Sequence, residues 1–338
     1  MLSLIIGNTS LTTEERHALR LHLFYAILDG LVLGVLALNE FVFLKSMHGS
    51  DLQISILFQF SVLVFIGLVF INEWLRRIAN KKRLLQITAL VTRLPLLLLL
   101  IFPTQGTYTN VYHLIFLAVF FIYYLASPII YPTINQMFKN IYSHHNFGLL
   151  FARIGAVNKV VMLVGTFLYA WGLDIWPHLF VYVLPGMAPV AIVSIFLLSS
   201  IPYQHSFVTP KAPFLSSIKT GLQRMHRLLF HNKAYLHFEI GFMLYGFAFM
   251  STVAVITIYF DAVLQLNYSS VAFYKNAYNI LAIIMMPYFG KLYYPICALL
   301  FYGIRYQDIL QYDIVCTVSW CVCCYYGLVV VYWLCLFW

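Results

Sequence analysis

Residues 73–83 read EWLRRIANKKR, and these eleven positions hold five of the chain's twenty Lys and Arg. Long apolar runs lie on both sides of them. A second basic stretch, residues 203–235, holds five more Lys and Arg and no Asp or Glu. Positive charge therefore recurs in every second gap between apolar runs, as it does in the short cytoplasmic loops of membrane proteins. The alternation predicts a chain that crosses a membrane several times.

The composition supports an integral membrane protein. Hydrophobic residues make up 62% of the chain and charged residues only 9%, whereas a soluble domain has roughly 25% charged residues. The net charge of +9 lies in gaps that flank apolar runs, so we interpret it as a determinant of topology and expect no nucleic-acid partner. The lipid bilayer is the expected partner. The apolar runs are continuous rather than alternating, which argues against a barrel.

Eight apolar runs are long enough to span a bilayer, which takes about 20 residues as a helix. They lie at 20–44, 53–74, 84–103, 111–137, 148–171, 178–200, 238–260 and 271–292. The predicted fold is all-α. Its parts are a six-helix bundle at 1–201, a basic linker at 202–236, and helices seven and eight at 237–292. Within the linker, the segment from Phe214 to Met225 predicts a surface helix with basic residues on one side.

The side on which each gap lies follows from its charge. The gaps rich in Lys and Arg are the N-terminal segment and those between helices 2 and 3, 4 and 5, and 6 and 7. These gaps are expected on the cytoplasmic side, which places the N-terminus in the cytoplasm. The expected location is the cell (inner) membrane, with multiple passes.

The tail, residues 293–338, differs in composition from the rest. All six cysteines lie between Cys297 and Cys335, and none precedes them. We hypothesise that the natural reading frame ends near Leu292 and that the tail is out-of-frame translation. This makes the chain six helices of one half, the first two of a second half, and an atypical hydrophobic tail.

Six helices, a long basic linker and a second set of helices form a layout that resembles the major facilitator superfamily of secondary transporters. That family carries the signature Gly-x-Leu-Ala-Asp-Arg-x-Gly-Arg-Arg between helices 2 and 3. Here Leu75, Arg77 and residues 81–83 fit it, while Arg76 stands in place of the aspartate. Helix 5 lacks the Gly-Pro-x-x-Gly-Gly motif of the family's drug–proton antiporters, and we do not favour that branch. The resemblance covers residues 15–292.

The resemblance implies that this gap forms a cytoplasmic gating motif. Its candidate residues are Glu73, Arg76, Arg77, Lys81, Lys82 and Arg83. The aspartate's gating contacts are in question unless Glu73 substitutes for it.

Two acidic residues fall within the first predicted helix. Asp29 and Glu40 are eleven residues apart, about three helical turns, so both would face the same side. A charge at mid-bilayer costs about 2.5–3.5 kcal/mol on insertion scales, so a charged residue there indicates a functional role. We expect a cavity-lining pair that binds protons or a cationic group. For Glu40, an interfacial position beside Lys45 is an equal alternative.

Four further polar residues within apolar runs are candidates for substrate or proton coupling. Arg93, halfway along helix 3, would contact an anion or pair with Asp29; a structural ion pair is the alternative. Asn158 and Lys159 lie in helix 5, where Lys159 is the better ligand candidate. Asn279 is the cavity candidate in helix 8.

The function expected from this resemblance is secondary active transport of a small solute by alternating access. Coupling to protons is a hypothesis that rests on Asp29 and Glu40. We expect a monomer with no catalytic residues, metal or cofactor, since no enzyme signature is present. The alternative is a non-transporting polytopic membrane protein or a non-functional truncated transporter. The identity of the solute cannot be read from the sequence.

Overall fold

The structure, a computed structural model, describes residues 11–78, 80–104, 108–201 and 213–301. Every regular element in these ranges is a helix. The α-helices are α1 (Thr13–Leu36), α2 (Asn39–Lys45), α3 (Asp51–Leu63), α4 (Leu68–Arg77), α5 (Lys81–Arg93), α6 (Asn110–Tyr124), α7 (Ser127–Ile141), α8 (His144–Ile175), α9 (Phe180–Ser199), α10 (Phe214–His231), α11 (Lys233–Ala262) and α12 (Tyr268–Phe301). Two 3₁₀ helices cover Leu94–Ile101 and Pro177–Leu179.

Several helices that the apolar runs predict as single elements are interrupted. The first predicted helix is interrupted at residues 37–38, between α1 and α2. The fourth is interrupted at residues 125–126, between α6 and α7 and just before Pro128. Proline has no N–H to donate to the preceding turn, so a helix tends to break or restart there. The second predicted helix is two shorter helices, α3 and α4. The third continues beyond α5 as the 3₁₀ helix Leu94–Ile101.

Six helices in the described ranges are long and apolar enough to cross a membrane. They are Thr13–Lys45, Lys81–Ile101, Asn110–Phe138, Phe147–Ile175, Pro177–Ser199 and Tyr235–Ala262. The α3 helix is apolar but shorter. Helix α12 runs on to Phe301, past the predicted end at Leu292. Most of the predicted tail, residues 302–338, and the linker residues 202–212 lie outside the described residues.

Hydrogen bonds between helix ends distinguish two ends in the described part of the structure. The basic end contains the start of α1, the turn between α4 and α5, and the linker helix α10. There the Gln86 amide donates to the Ser199 hydroxyl at 3.1 Å. At the far end the Ser46 hydroxyl donates to the Pro177 carbonyl at 3.0 Å, and His113 Nε2 lies 2.9 Å from the Met47 carbonyl oxygen.

The start of α1 shows how the basic end is fixed. The Thr12 side chain accepts a hydrogen bond from the Glu15 amide, and the Glu15 carboxylate accepts one from the Thr12 amide. This reciprocal capping satisfies two N–H groups that a helix start leaves unpaired. The Glu15 carboxylate also accepts from the Ser143 amide at 2.9 Å, and Ser143 is the N-cap of α8. One carboxylate therefore joins the starts of two spans.

The interior contains two hydrophobic clusters. The far-end cluster is rich in phenylalanine, including the fully buried Phe41, Phe43, Phe116 and Phe120. The basic-end cluster contains Leu19, Leu85, Phe138 and Leu150. Tyr108 borders the far-end cluster, where its hydroxyl donates to the Pro103 carbonyl at 2.9 Å and lies 3.1 Å from His178 Nδ1.

Candidate functional site

Helices α1 and α8 cross at two glycines, and this crossing sets the position of Asp29. A methyl group on Gly30 would lie 2.6 Å from the Asn158 carbonyl oxygen, and one on Gly34 would lie 2.5 Å from that of Met162. No larger residue fits these places without moving a backbone. Small residues allow such close helix contacts in membranes. The close approach brings the side chain of Asn158 within reach of α1.

Asn158 binds α1 at two points. Its Nδ2 donates to the Ala26 carbonyl at 2.8 Å and to the Asp29 carboxylate at 3.4 Å. The first bond is of ordinary length and the second is long. Asp29 itself is only partly buried. Within the described part of the chain, its carboxylate thus accepts one weak hydrogen bond, from Asn158.

Arg93 is buried at the point where α5 changes into the 3₁₀ helix. Its Nη1 donates to the Tyr123 carbonyl at 2.8 Å, and its guanidinium lies 3.7 Å from the centre of the Tyr123 ring. Tyr123 is next to the last residue of α6, where the interrupted helix leaves carbonyl groups in need of donors. Arg93 therefore stabilises the break between α6 and α7. Its Nε has no hydrogen-bond partner among the described residues.

Asp29 and Arg93 are neighbours without touching. The guanidinium acts electrostatically on the Asp29 carboxylate, yet no hydrogen bond or ion pair joins the two side chains within the described part of the chain. The phenol of Tyr25 is within electrostatic range of both charges. The predicted pairing of Arg93 with Asp29 is therefore not a direct contact. The two opposite charges therefore influence each other inside the bundle, and the Arg93 Nε has no hydrogen-bond partner among the described residues.

Lys159 follows Asn158 in α8 and is turned about 100° around the helix from it. Its ammonium lies 3.9 Å from the sulfur of Met162, and its side chain is partly buried. Asn158 rather than Lys159 is thus the α8 residue that contacts Asp29. A role of Lys159 as a ligand stays a prediction.

Glu40 pairs with a helix that follows the linker. Its carboxylate lies 3.4 Å from the Lys275 ammonium, and Lys275 also donates to the Ala37 carbonyl at 3.5 Å. The expected unbroken helix between Asp29 and Glu40 is wrong, because the chain leaves the helix at Ala37 and Leu38. A three-turn spacing therefore does not apply. The partner of Glu40 among the described residues is Lys275 and not Lys45.

Asn279 is fully packed within the protein at 1% exposure. Its Nδ2 donates to the Asn276 side-chain oxygen at 2.9 Å, and Asn276 in turn donates to the Ala272 carbonyl at 2.9 Å. The Oδ1 of Asn279 has no partner in the described ranges. The pair lies on α12, which packs along α8.

The candidate gating motif is centred on Glu73, which is buried at 5% exposure. Its carboxylate accepts from Arg77 at 2.9 Å and 3.0 Å and from Arg76 at 3.2 Å. Arg77 extends further, to the Ser217 hydroxyl at 3.5 Å and over the Phe214 ring at 5.4 Å. Glu73 thus supplies a carboxylate to these arginines, and Arg77 connects α4 to the linker helix α10. The gating role itself stays a prediction.

The remaining basic residues of this motif divide into two kinds. Lys81 is buried and donates to the Gln136 side chain of α7. Lys82 and Arg83 are exposed, and Asn80 caps α5 by accepting from the Arg83 amide at 2.9 Å. Lys81 therefore joins neighbouring spans, whereas Lys82 and Arg83 present charge to the surroundings.

Sequence reasoning missed several polar residues that link helices. The most informative is Asp174, next to the last residue of α8, which accepts hydrogen bonds from Tyr268 and Ser269 at the start of α12. A signal was present: a carboxylate is unfavourable at the C-terminus of its own helix. Tyr25, Tyr123 and Asn276 were also missed, since buried tyrosine and asparagine are common in apolar runs without a functional role.

The spans, the buried charges within them and the basic linker define a multi-pass membrane protein. The chain matches the family model of the Major Facilitator Superfamily over residues 23–336. This range is most of the chain, and the protein belongs to the Major Facilitator Superfamily of membrane transporters. The match continues beyond Leu292, where the resemblance in short motifs ends, and the altered reading frame stays a hypothesis. No curated protein and no solved structure matches the chain.

Proposed function

We propose that the protein carries out secondary active transport of a small solute by alternating access, and that proton uptake and release at Asp29 drives it. The supporting observation is the pair of opposite charges at Asp29 and Arg93. Ionisable residues inside membrane spans are costly and mark substrate or ion pathways. Neither charge is neutralised by direct contact with the other, so the pair is available to a proton and a solute.

Asp29 suits proton exchange better than Glu40. Glu40 is bound to Lys275 at 3.4 Å, so its protonation would leave a lysine charge without its partner. Among the described residues, Asp29 accepts only a long hydrogen bond, from Asn158, and it is partly accessible. A proton can therefore be added to Asp29 without breaking a close ion pair.

The proposed setting is the cell (inner) membrane, with a monomer embedded in the lipid bilayer. Short cytoplasmic loops carry an excess of Lys and Arg, which assigns the basic end and the N-terminus to the cytoplasm. The far end then faces outward. Alternating access requires the helices before and after the linker to move relative to each other around a site between them.

The first experiment identifies the solute. A thermal-shift screen of the purified full chain uses a library of sugars, amino acids, short peptides and organic ions. Compounds that raise the melting temperature are then taken into proteoliposomes with an imposed pH gradient. Accumulation that depends on the gradient is the expected result. Uptake that is the same with and without the gradient contradicts proton coupling.

The second experiment tests Asp29. Asp29→Asn is expected to abolish gradient-driven accumulation while the melting-temperature shift with the solute remains, because the amide keeps the size of the side chain and cannot exchange a proton. Asp51→Asn is the matched control, since Asp51 is an exposed carboxylate at the far end. Accumulation by Asp29→Asn at the level of the control overturns the role of Asp29.

A further inference from the structure

The start of α12 is bound to the first six spans by a carboxylate from α8. Asp174 accepts from the Tyr268 amide at 2.7 Å, from the Ser269 amide at 3.0 Å and from the Ser269 hydroxyl at 2.5 Å. The Asn267 side chain accepts from the next amide, Ser270, at 3.0 Å. Two of the first three N–H groups of α12 are therefore satisfied across the boundary between the two sets of helices.

The position of Asp174 argues against a merely local role. It precedes the last residue of α8, where the helix dipole disfavours negative charge. At the start of α12 the dipole has the opposite sign and favours the same charge. The carboxylate thus gains from the helix that it reaches and not from the helix that carries it. Its placement is favourable only while the two helices are docked.

Further contacts across the same boundary lie beside Asp174. Lys45 of α2 donates to the Leu266 carbonyl, and the hydroxyls of Ser46 and Tyr268 lie 2.5 Å apart. Two turns further along α12, Lys275 meets Glu40. All of these join α2 or α8 to the segment that begins α12, and all lie toward the far end.

The turn that leads into α12 is shaped for this docking. Gln265 has a φ of 46°, a left-handed conformation that is uncommon for a residue other than glycine. The Leu266 amide donates back to the Phe260 carbonyl at 2.9 Å. The turn therefore delivers the Leu266 carbonyl to Lys45 and the first amides of α12 to Asp174.

We propose that Asp174 is a latch: a positioning residue that holds the far end closed by capping α12, and that must release α12 before the far end can open. Asp174 is exposed, so water can replace it at the freed amides when it leaves. This inference rests on the proposed alternating access. It adds the residue that sets the balance between the closed and open far end.

The test measures access to the far end by chemical labelling in intact cells that express the full chain. Ala37→Cys is the reporter, because Ala37 is partly buried and its bond to Lys275 is made by the backbone carbonyl, which the substitution keeps. A membrane-impermeant maleimide is added outside, and labelling is quantified by mass spectrometry on the peptide that carries residue 37. The native cysteines, all from Cys297 onward, fall on other peptides.

The expected result is slow labelling of the reporter alone and severalfold faster labelling when Asp174→Ala is added. Asp174→Asn keeps one acceptor oxygen but loses the charge, so it should give an intermediate rate. The control, Asp51→Asn, removes an exposed far-end carboxylate whose side chain has no hydrogen bond or ion pair in the described ranges, and it should leave the rate unchanged. Equal rates for the reporter with and without Asp174→Ala overturn the latch.

Three further variants keep the test decisive. Thr109→Cys at the far end should label and Thr220→Cys in the linker helix should not. The reverse pattern contradicts the proposed orientation; the reporter is then labelled in inverted vesicles, where equal rates with and without Asp174→Ala overturn the latch. Asp174→Cys with Ser269→Cys should form a disulfide on oxidation and reduce labelling at residue 37 below that of the parent. Unchanged labelling after the disulfide forms also overturns the latch, even if Asp174→Ala fails to fold.

Discussion

The carboxylate of Glu40 and the ammonium of Lys275 lie 3.4 Å apart and join α2 to α12, on opposite sides of the basic linker. Their side chains are only 15% and 21% exposed, so water screens the pair poorly. Lys275 also lies 5.6 Å from the centre of the Phe58 ring. The ion pair therefore links the two sets of helices, and each residue supplies the opposite charge that neutralises the other.

Removing one partner of this pair should cost more than removing both. Glu40→Gln or Lys275→Gln is expected to lower the free energy of unfolding by about 1–3 kcal/mol, because each leaves a poorly solvated charge or polar group. The double variant Glu40→Gln with Lys275→Gln leaves no charge behind and should recover much of the loss. Thermal unfolding of the four proteins in lipid nanodiscs gives the coupling energy, expected at about 0.5–3 kcal/mol. Additive losses would mean that the two residues act independently.

Glu73 should matter more than the exposed charges of the same motif. Glu73→Gln leaves Arg77 without its carboxylate at a buried position and is expected to destabilise the protein by about 1–3 kcal/mol. Arg83→Gln should change stability by less than about 0.5 kcal/mol, since Arg83 is exposed. The melting temperatures of the two purified variants are compared with that of the parent protein. A similar loss for both variants would rule out a special role for Glu73 in this motif.

The crossing of α1 and α8 predicts strong sensitivity at Gly34 and little at Gly186. Gly34→Val places carbon within 2.5 Å of the Met162 carbonyl oxygen, and overpacking of this kind costs about 1–3 kcal/mol or more. Gly186 lies in a span with nothing within 4 Å of the added methyl group. Gly186→Ala should therefore be neutral or stabilising by up to about 1 kcal/mol. The yield and melting temperature of the two variants are compared with those of the parent protein. If Gly34→Val lowers them no more than Gly186→Ala does, α1 and α8 do not cross this closely.

The predicted count of eight spans exceeds the six helices in the described ranges that are long and apolar enough to cross a membrane. That the chain has many apolar helices was predictable from charge and hydropathy alone, because both are sums over many residues. The interruptions at residues 37–38, 64–67 and 125–126 were not. Each is a local change in backbone hydrogen bonding that leaves the apolar run intact. Pro128 was a visible cue for the third interruption, but Ala37 and Leu38 have no residue type that breaks a helix.

The candidate site was predictable only in part. The cost of charge in a membrane singled out Asp29 and Arg93, which lie inside spans, Arg93 buried and Asp29 partly buried. It could not show that Arg93 binds the Tyr123 carbonyl or that Glu40 reaches Lys275, because both contacts join segments far apart in sequence. Asp174 was overlooked since a lone acid in a gap between spans resembles an ordinary loop residue.

Stability at high pH should depend on Tyr108. Burial raises the pKa of Tyr108 to about 12, compared with about 10 in an unfolded chain. The unfolded chain therefore loses this proton first, so the contribution is complete below pH 10 and falls as pH rises towards 12. We expect a loss of about 1–2 kcal/mol over this interval, after allowance for solvent screening.

Tyr108→Phe tests this titration. The variant lacks the hydrogen bond to the Pro103 carbonyl, so it should be less stable at neutral pH. Between pH 10 and 12 its melting temperature should fall less steeply than that of the parent protein. Parallel curves for the two proteins would assign the alkaline loss to other tyrosines.

The 3₁₀ helix Leu94–Ile101 gives different environments to leucines that look equivalent in the sequence. A 3₁₀ helix repeats every three residues, and the run follows that period: Leu96, Leu99 and Phe102 are at most 4% exposed, whereas Leu94, Leu97 and Leu100 are at least 40% exposed. Identical leucine side chains therefore lie on opposite faces of this helix, one buried and one exposed. Inserting a single leucine would leave hydropathy and length almost unchanged, yet it would rotate the following residues by a third of a turn and exchange core-facing positions for lipid-facing ones.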